Sequence, residues 1–381
     1  MDLPTDFKNF LQEIRPTAAM RKDMQTGHKT LRSRLRADKG LAPILVSDFL
    51  QGSYRRYTAV RPKGDRCSDV DIIIVTKLDE KEYGPVAAMN LFEPFLKQHY
   101  PGKWRRQGRS FGIELSYVEL DLVVTSAPSE TEIGILKSEA VTEGGEIDED
   151  SPEVGHWRLN DRWLSEASRF GRYDAEAILK AADAAPEWKP APLRIPDRDA
   201  GTWEDTHPLQ QIIWTREKNA ATSGHFVNVV KCIKWWRFVN YEEPKHPKGF
   251  PLERLVGEHC PDDIKSVGEG VTRTLEAIVA AYGVHVLLNT KPKLPDYGVP
   301  AHDVFARITA QDFAAFYEQV KEGAALAREA LDEDDRTKSG NLWRDLLGTK
   351  FPPPPDNDGN TRKGGFTEPA APAVPGTGRF A

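Results

Sequence analysis

The stretch "SDVDIIIVTK", residues 68–77, constrains the fold more than any other part of the chain. Its short run of β-branched apolar residues is typical of a strand rather than a helix. Successive side chains of a strand point to opposite faces, so Asp69 and Asp71 project to the same side. Two carboxylates this close repel each other unless a cation lies between them. The stretch predicts a strand with an acidic pair at its entrance, the simpler alternative being a solvated strand edge.

A third acid lies in a second apolar run, at Asp121 in "VELDLVV". A charge inside such a strand is expensive without a partner, although a strand-end acid is the alternative. Mg²⁺ takes oxygen ligands and completes its octahedron with water and substrate phosphates. Two-metal nucleotidyl transfer needs a third carboxylate beside an acidic pair. We therefore expect Asp69, Asp71 and Asp121 to be catalytic and to bind two Mg²⁺ ions, which Mn²⁺ could replace.

Gly52 and Ser53 precede the acidic pair and supply the groups that phosphates need. Glycine lets the backbone approach a ligand closely, and the serine N–H and hydroxyl can both donate to phosphate oxygens. Gly-Ser is common in loops, so its value comes from its position ahead of Asp-x-Asp. With the third acid about fifty residues later, the set forms the nucleotidyltransferase signature of the polymerase-β type.

A helix is predicted over residues 223–240, "SGHFVNVVKCIKWWRFVN", with Ser223 as its N-cap. Lys231 and Lys234 are three residues apart and share a face of this helix. A lysine held by a packed helix can act as a point charge for a triphosphate. Solvated lysines on an amphipathic helix are the alternative. Lys231 and Lys234 join Gly52 and Ser53 as candidate nucleotide-binding residues.

Composition narrows the class of protein. The chain has 381 residues, 39% of them hydrophobic, and a net charge of -6, which argues against a general nucleic-acid coat protein. A small anionic ligand stays open because basic residues cluster at two places: Arg55, Arg56 and Arg61, and Lys103, Arg105, Arg106 and Arg109. Three cysteines cannot make a disulfide framework. A charged N-terminus and short apolar runs predict a cytoplasmic protein without membrane contact.

The order of patterns predicts an α+β fold with a catalytic lobe at 1–207 and a helical lobe at 208–350. Within the catalytic lobe, residues 127–207 are acidic and read as an insertion. From 351 to 381 the chain is rich in proline and lacks apolar periodicity, which is typical of a disordered tail.

Finer expectations concern single elements. A helical stretch at 6–37 is interrupted at its one internal glycine, and a helix that follows Lys81 is broken near Gly84. Residues 109–127 are expected to form either one long strand or a tight hairpin that pivots near Ser116 and Tyr117.

The sequence resembles the cGAS/DncV-like nucleotidyltransferases, or CD-NTases, of bacterial anti-phage (CBASS) signalling. The resemblance is carried by "QGSYRRYTAVRP", "SDVDIIIV", "VELDLVV", "HPLQQIIWTREKN", "VKCIKWW" and "LPDYGVPAHDVFARITAQDF". It implies a polymerase-β-like fold with a mixed sheet in the catalytic lobe and the active site in the cleft between the lobes. It also implies that Gly52 and Ser53 hold the donor triphosphate and that Lys234, or alternatively Lys231, contacts it.

The family's activity implies that ATP and GTP are joined without a template into a cyclic oligonucleotide that acts on a downstream effector. The resemblance is strongest to the clade D branch, whose members are associated with a cyclic trinucleotide of adenine and guanine. A linear oligonucleotide synthase, or transfer to another acceptor, shares every motif. A non-catalytic nucleotide-binding scaffold is disfavoured because all three acids are present.

The last residues, "GTGRFA", resemble the C-termini of family members that accessory E1- and E2-like proteins conjugate to a target. This resemblance implies conjugation through Ala381. An inert solubilising tail is the alternative.

Overall fold

The computed structural model describes residues 1–64, 66–126 and 193–354. Of the expected insertion at 127–207 it therefore describes only the last part, and the expected tail lies outside the described residues beyond 354. Within the described ranges, no helix has the length and apolar character that crossing a bilayer requires.

The helices and strands alternate in the first part of the chain, and helices follow. The helices are α1 (Pro4–Ile14), α2 (Ala18–Ala37), α3 (Gly52–Arg55), α4 (Pro85–Asn90), α5 (Glu93–His99), α6 (Pro208–Ala221), α7 (Phe226–Asn240), α8 (Phe250–His259), α9 (Val267–Leu287), α10 (Ala310–Asp332) and α11 (Arg336–Leu347). The strands are β1 (Leu45–Gln51), β2 (Ser68–Thr76), β3 (Trp104–Arg106), β4 (Phe111–Glu114), β5 (Val118–Val124), β6 (Leu193–Asp197) and β7 (Thr202–Thr206).

A five-stranded sheet in the order β1-β2-β5-β4-β3 forms the catalytic half of the molecule. Strands β2 and β5 run parallel, and every other pair is antiparallel, so the sheet is mixed as expected. The parallel pairing brings two apolar runs that are far apart in sequence into register at the centre of the sheet. The predicted strand at 68–77 and the hairpin that turns between β4 and β5 are both confirmed.

The two faces of the sheet differ in their covering. One face is mainly apolar and packs against α2, α4 and α5, through residues that include Met24, Leu31, Ile72, Leu120 and Phe95. On the opposite face, Ile73, Val75 and Val123 pack under Leu193 and Ile195 of the β6–β7 hairpin. The hairpin covers only the apolar half of this face. Because side chains alternate along a strand, Asp69, Asp71 and Asp121 occupy the other half.

The described ends of the segment between β5 and β6 lie side by side. The Ser126 N–H donates to the carbonyl oxygen of Arg194 at 3.0 Å. The chain therefore leaves β5 and enters the β6–β7 hairpin at neighbouring positions.

The helical half is built around α7, which is buried on nearly all sides. Its core residues include Val229, Val230, Cys232, Ile233 and Trp236. The apolar face of α1, with Phe7 and Phe10, belongs to this core rather than to the sheet. The expected division, which assigned all of 1–207 to the catalytic lobe, is therefore wrong at the N-terminus, because the hydrophobic stripe of α1 is buried against the later helices.

Helix α7 begins at Phe226, so the prediction of Ser223 as its N-cap is wrong. Groups of the preceding turn do the capping instead. The Thr222 hydroxyl accepts the N–H of Phe226 at 2.9 Å, and Asn219 Oδ1 accepts that of Val227 at 3.1 Å. Ser223 itself has a positive φ of 52°.

Two predicted helix breaks also lie elsewhere. The first helical stretch is divided at Arg15–Thr17, around a proline, and Gly27 continues α2 without interruption. A Cβ at Gly27 would lie 2.5 Å from Val118 Cγ1, so this glycine serves the close packing of α2 on β5. The later break comes after Asn90, between α4 and α5, rather than at Gly84, because Pro85 is tolerated in a first helical turn.

Candidate active site

The acidic residues occupy one end of the sheet face that the hairpin leaves uncovered. In the parallel ladder Asp71 is the register partner of Asp121, and Asp69 is the register partner of Glu119. The structure thus brings the three predicted acids together. It adds Glu119, which sequence reasoning missed although it stands two residues before Asp121 and therefore faces the same side.

The protonation of these carboxylates reflects their crowding. Desolvation and the neighbouring Asp71 raise the pKa of Asp69 to about 8, although its side chain still reaches solvent. Burial and Asp71 likewise raise the pKa of Asp121 to about 6. Burial raises the pKa of Asp71 despite the nearby Arg56. The site therefore concentrates negative charge that its surroundings do not neutralise.

The loop that contains Gly52 is packed directly against Asp71. Gly52 has a φ of +73°, and a Cβ built on it would lie 1.7 Å from Asp71 Oδ2. Only glycine fits this approach, for both conformational and steric reasons. The following turn is closed by Thr58 and Ala59, whose N–H groups donate to the Ser53 carbonyl oxygen at 2.9 and 3.2 Å. The predicted Gly52–Ser53 loop therefore lies beside the acids.

Gln107 holds the third acid in place. Its Nε2 donates to Asp121 Oδ1 at 3.2 Å, and its Oε1 accepts from the Ser110 hydroxyl at 2.6 Å. The β6–β7 hairpin supports this turn, since the Arg198 N–H donates to the Gly108 carbonyl oxygen at 2.7 Å. Gln107 sits in an ordinary polar turn, "RRQGRS", which gives no sequence signal for this role.

The candidate lysine Lys234 contacts the turn that follows Gly52 and Ser53. Its Nζ donates to the Thr58 carbonyl oxygen and to Glu253 Oε1, each at 3.0 Å. Lys234 is also among the charges that act on Asp69 and Asp71. Lys231 is buried within α7.

Glu253 was not predicted, and it joins the helices to the loop. The Arg56 Nε donates to Glu253 Oε2 at 3.1 Å, so one carboxylate bridges Arg56 and Lys234. Burial alone would raise the pKa of Glu253, but these two cations outweigh it and lower the pKa to about 2.

The basic clusters noted in the sequence are largely neutralised. Arg56 pairs with Glu253, Arg106 with Glu93, and Arg109 with Asp197. These ion pairs engage Arg56, Arg106 and Arg109 in stabilising the fold.

The donor set suits a magnesium ion. Asp69, Asp71 and Asp121 offer only oxygen ligands, and burial raises the pKa of each, so a bound cation would favour their charged forms. No three His, Cys, Asp or Glu side chains in the described ranges already converge as a set of metal ligands. Binding an ion would therefore require side-chain rotation at a site whose charge favours it.

The first 131 residues match a family model described as the Second Messenger Oligonucleotide or Dinucleotide Synthetase domain. Over its whole length the chain is 46% identical to a protein of Enterobacter hormaechei named cyclic AMP-AMP-GMP synthase, all of which is covered. It is 30% identical to the cyclic AMP-AMP-AMP synthase of an Acinetobacter strain, over 92% of this chain and 86% of that protein.

The chain belongs to the CD-NTase family. Solved structures support the fold independently. The Bradyrhizobium diazoefficiens CD-NTase CdnG, in complex with GTP, aligns with a TM-score of 0.61 at 12% identity, over 90% of this chain and 94% of that one. E. coli MS115-1 CdnC, in a complex with HORMA-deltaN, aligns with a TM-score of 0.59 at 13% identity, over 92% and 99%. The expected α+β, polymerase-β-like fold is confirmed, and membership makes the chain a nucleotidyltransferase.

Proposed function

We propose that this CD-NTase joins ATP and GTP into a cyclic trinucleotide of two adenylates and one guanylate, and that it belongs to clade D. The observation that carries the proposal is the contact of the Gly52 loop with Asp71, beside Asp69 and Asp121. That arrangement supports a site in which the loop backbone would bind donor phosphates beside carboxylates that would bind metal ions. The product assignment is supported by the name of the relative that is 46% identical over its full length.

The chemistry is the attack of an acceptor ribose hydroxyl on the α-phosphorus of a donor triphosphate, with release of pyrophosphate. Gly52 and Ser53 would bind the donor phosphates through backbone N–H groups and the serine hydroxyl. Lys234 would add one positive charge at the triphosphate. Gln107 orients Asp121 through its hydrogen bond. Catalysis then consists mainly of positioning and charge stabilisation.

Asp69, Asp71 and Asp121 would hold two Mg²⁺ ions, which when bound activate the attacking hydroxyl and stabilise charge on the leaving group. The residues themselves keep the site acidic and fix its position relative to the Gly52 loop.

Labelled ATP, GTP, CTP and UTP incubated with the protein and Mg²⁺ test this function. The expected product incorporates label from ATP and GTP, resists phosphatase, and after nuclease P1 yields adenylate and guanylate in a ratio of about two to one. Phosphatase-sensitive linear product, or label attached to another acceptor, would reject cyclisation. These outcomes separate the cyclase from the two alternatives that share its motifs.

We also propose that E1- and E2-like proteins conjugate the chain to a target through Ala381. The support is the sequence "GTGRFA", which lies outside the described residues. Removing Ala381 should leave the activity of the purified enzyme unchanged and abolish covalent conjugates in cells that carry the accessory proteins. Unchanged conjugates would reject this role.

A further inference from the structure

Glu253 is a buried carboxylate that lies between the helical half and the turn that carries Gly52 and Ser53. Its side chain is 7% exposed, that of Arg56 is 5% exposed, and that of Lys234 is 13% exposed. A buried acid that bridges two cations has little access to water, so its geometry is fixed by the pair it binds.

Both bridges of Glu253 lead to the segment that follows Gly52 and Ser53: Arg56 belongs to that segment, and Lys234 of α7 reaches it through the Thr58 carbonyl oxygen. The backbone N–H of Arg56 donates to the Gly52 carbonyl oxygen at 3.1 Å. Lys234 binds the Thr58 carbonyl oxygen, and the Thr58 N–H in turn donates to the Ser53 carbonyl oxygen. A shift of Glu253 would therefore be transmitted to both ends of this turn.

The arrangement also determines how many N–H donors of Lys234 remain for a ligand. An ammonium group has three N–H donors. Among the described residues, two of those of Lys234 are engaged, by Glu253 and by Thr58. The third remains for a phosphate oxygen, and the two anchored bonds limit the directions in which it can point.

We propose that Glu253 is a positioning residue for nucleotidyl transfer: it fixes Lys234 and the Gly52–Ser53 turn in the orientation that the reacting triphosphate needs. The inference rests on the proposed function. Glu253 acts through Arg56 and Lys234 and touches no substrate itself.

Removing the charge of Glu253 should lower the turnover number without weakening nucleotide binding. Glu253→Gln keeps the shape of the side chain but raises the net positive charge beside the phosphates by one. Affinity for a non-hydrolysable ATP analogue should then stay within about twofold of wild type or become tighter. Lost alignment should lower kcat by about tenfold or more, because misplacing reactive groups by about 1 Å can cost a hundredfold.

Asp48 provides a matched control on the other face of the sheet. It is a buried acid that binds two arginines, with Arg36 Nε donating to Oδ2 at 2.9 Å and Arg32 donating to Oδ1. Asp48→Asn should cost comparable stability without changing kcat. All kcat values are divided by the number of analogue-binding sites measured by calorimetric titration, so that unfolded protein does not count.

A double-mutant cycle shows whether Glu253 acts through Lys234. Lys234→Met should lower kcat by about a hundredfold in the wild-type background and by less than about tenfold beside Glu253→Gln, because the second change removes an alignment already lost. A fall in kcat of the double variant equal to the product of the two single-variant falls would overturn the proposal. So would a Glu253→Gln enzyme whose kcat per binding site equals that of wild type or of Asp48→Asn. A wild-type protein that binds the analogue but forms no product would instead reject the proposed function.

Discussion

Glu253 and the three aspartates are all carboxylates at the junction of the sheet and the helices, yet their pKa values move in opposite directions. Arg56 and Lys234 compensate Glu253, whose pKa falls to about 2. Burial, followed by the neighbouring Asp71 and Asp121, raises the pKa of Asp69 to about 8. The same fold therefore pairs one buried acid, Glu253, with two cations and raises the pKa values of the three aspartates. Glu253 holds the architecture together, whereas under the proposed function the aspartates would provide binding energy for a cation.

The largest expected effect concerns Asp69 and Asp71. Asp69→Ala combined with Asp71→Ala should lower product formation by at least about a thousandfold, since the set that stabilises the transferring phosphate is lost. The melting temperature should not fall, because two repelling carboxylates are removed. Product from labelled nucleotides and circular dichroism melts measure the two effects. Glu114→Ala, an exposed acid of β4, is the control, and residual product in the double variant would reject the metal assignment.

Loss of Glu253 should have the opposite effect on stability and lower the free energy of unfolding. Glu253→Ala leaves two buried cations without their partner, so we expect the free energy of unfolding to fall by about 3–5 kcal/mol. Asp71→Ala should cost nothing or stabilise. Guanidinium unfolding curves of the two variants test the contrast. Equal destabilisation by both changes would mean that the two sites do not differ in the way proposed.

The pH dependence of stability separates the same two regions in the metal-free protein. A carboxyl whose folded pKa is raised binds its proton more tightly in the folded state, so stability falls as pH rises from about 4 to 8 for Asp69. Glu253, whose folded pKa is lowered, contributes fully above its unfolded pKa and loses that contribution only in strong acid. Melts in EDTA between pH 5.5 and 8 should show a decline of a few degrees. Asp69→Asn should flatten it, and an unchanged slope would contradict the assignment.

The smallest expected effect concerns the hydrogen bond that orients the third acid. Gln107→Ala should lower kcat and the apparent Mg²⁺ affinity by about tenfold, the usual cost of losing an outer-shell contact to a ligand. Gln107→Glu, which places a negative charge against Asp121, should be worse. A magnesium titration of initial rates provides the measurement. No change with alanine would show that β5 alone orients Asp121.

The sequence predicted what depends on local pattern. Asp69, Asp71 and Asp121 could be found because charges stand out in apolar strands, and alternation fixed their common face. Gly52 could be found because a flexible loop residue preceded the acids. The register that places Asp71 opposite Asp121 comes from the parallel pairing of β2 with β5, which the sequence pattern did not specify.

What the sequence did not reveal depends on tertiary contacts. Glu253 lies in the first turn of a short helix, where acids are ordinary, and only folding brings it between Arg56 and Lys234. The wrong N-cap has the same origin, since Thr222 and Asn219 compete with Ser223 for the first N–H groups of α7. The assignment of α1 failed because an amphipathic stripe does not reveal which core will bury it.

The hydrogen bond between Ser126 and Arg194 has an evolutionary consequence. Because it joins the described ends of the chain between β5 and β6, a change in the number of residues between them leaves both ends in place. The entropy of closing such a loop grows with the logarithm of its length, by about 0.6 kcal/mol for each doubling. Insertions and deletions there are cheap for the catalytic strands. A change in the length of this stretch therefore leaves the acids beside it in register.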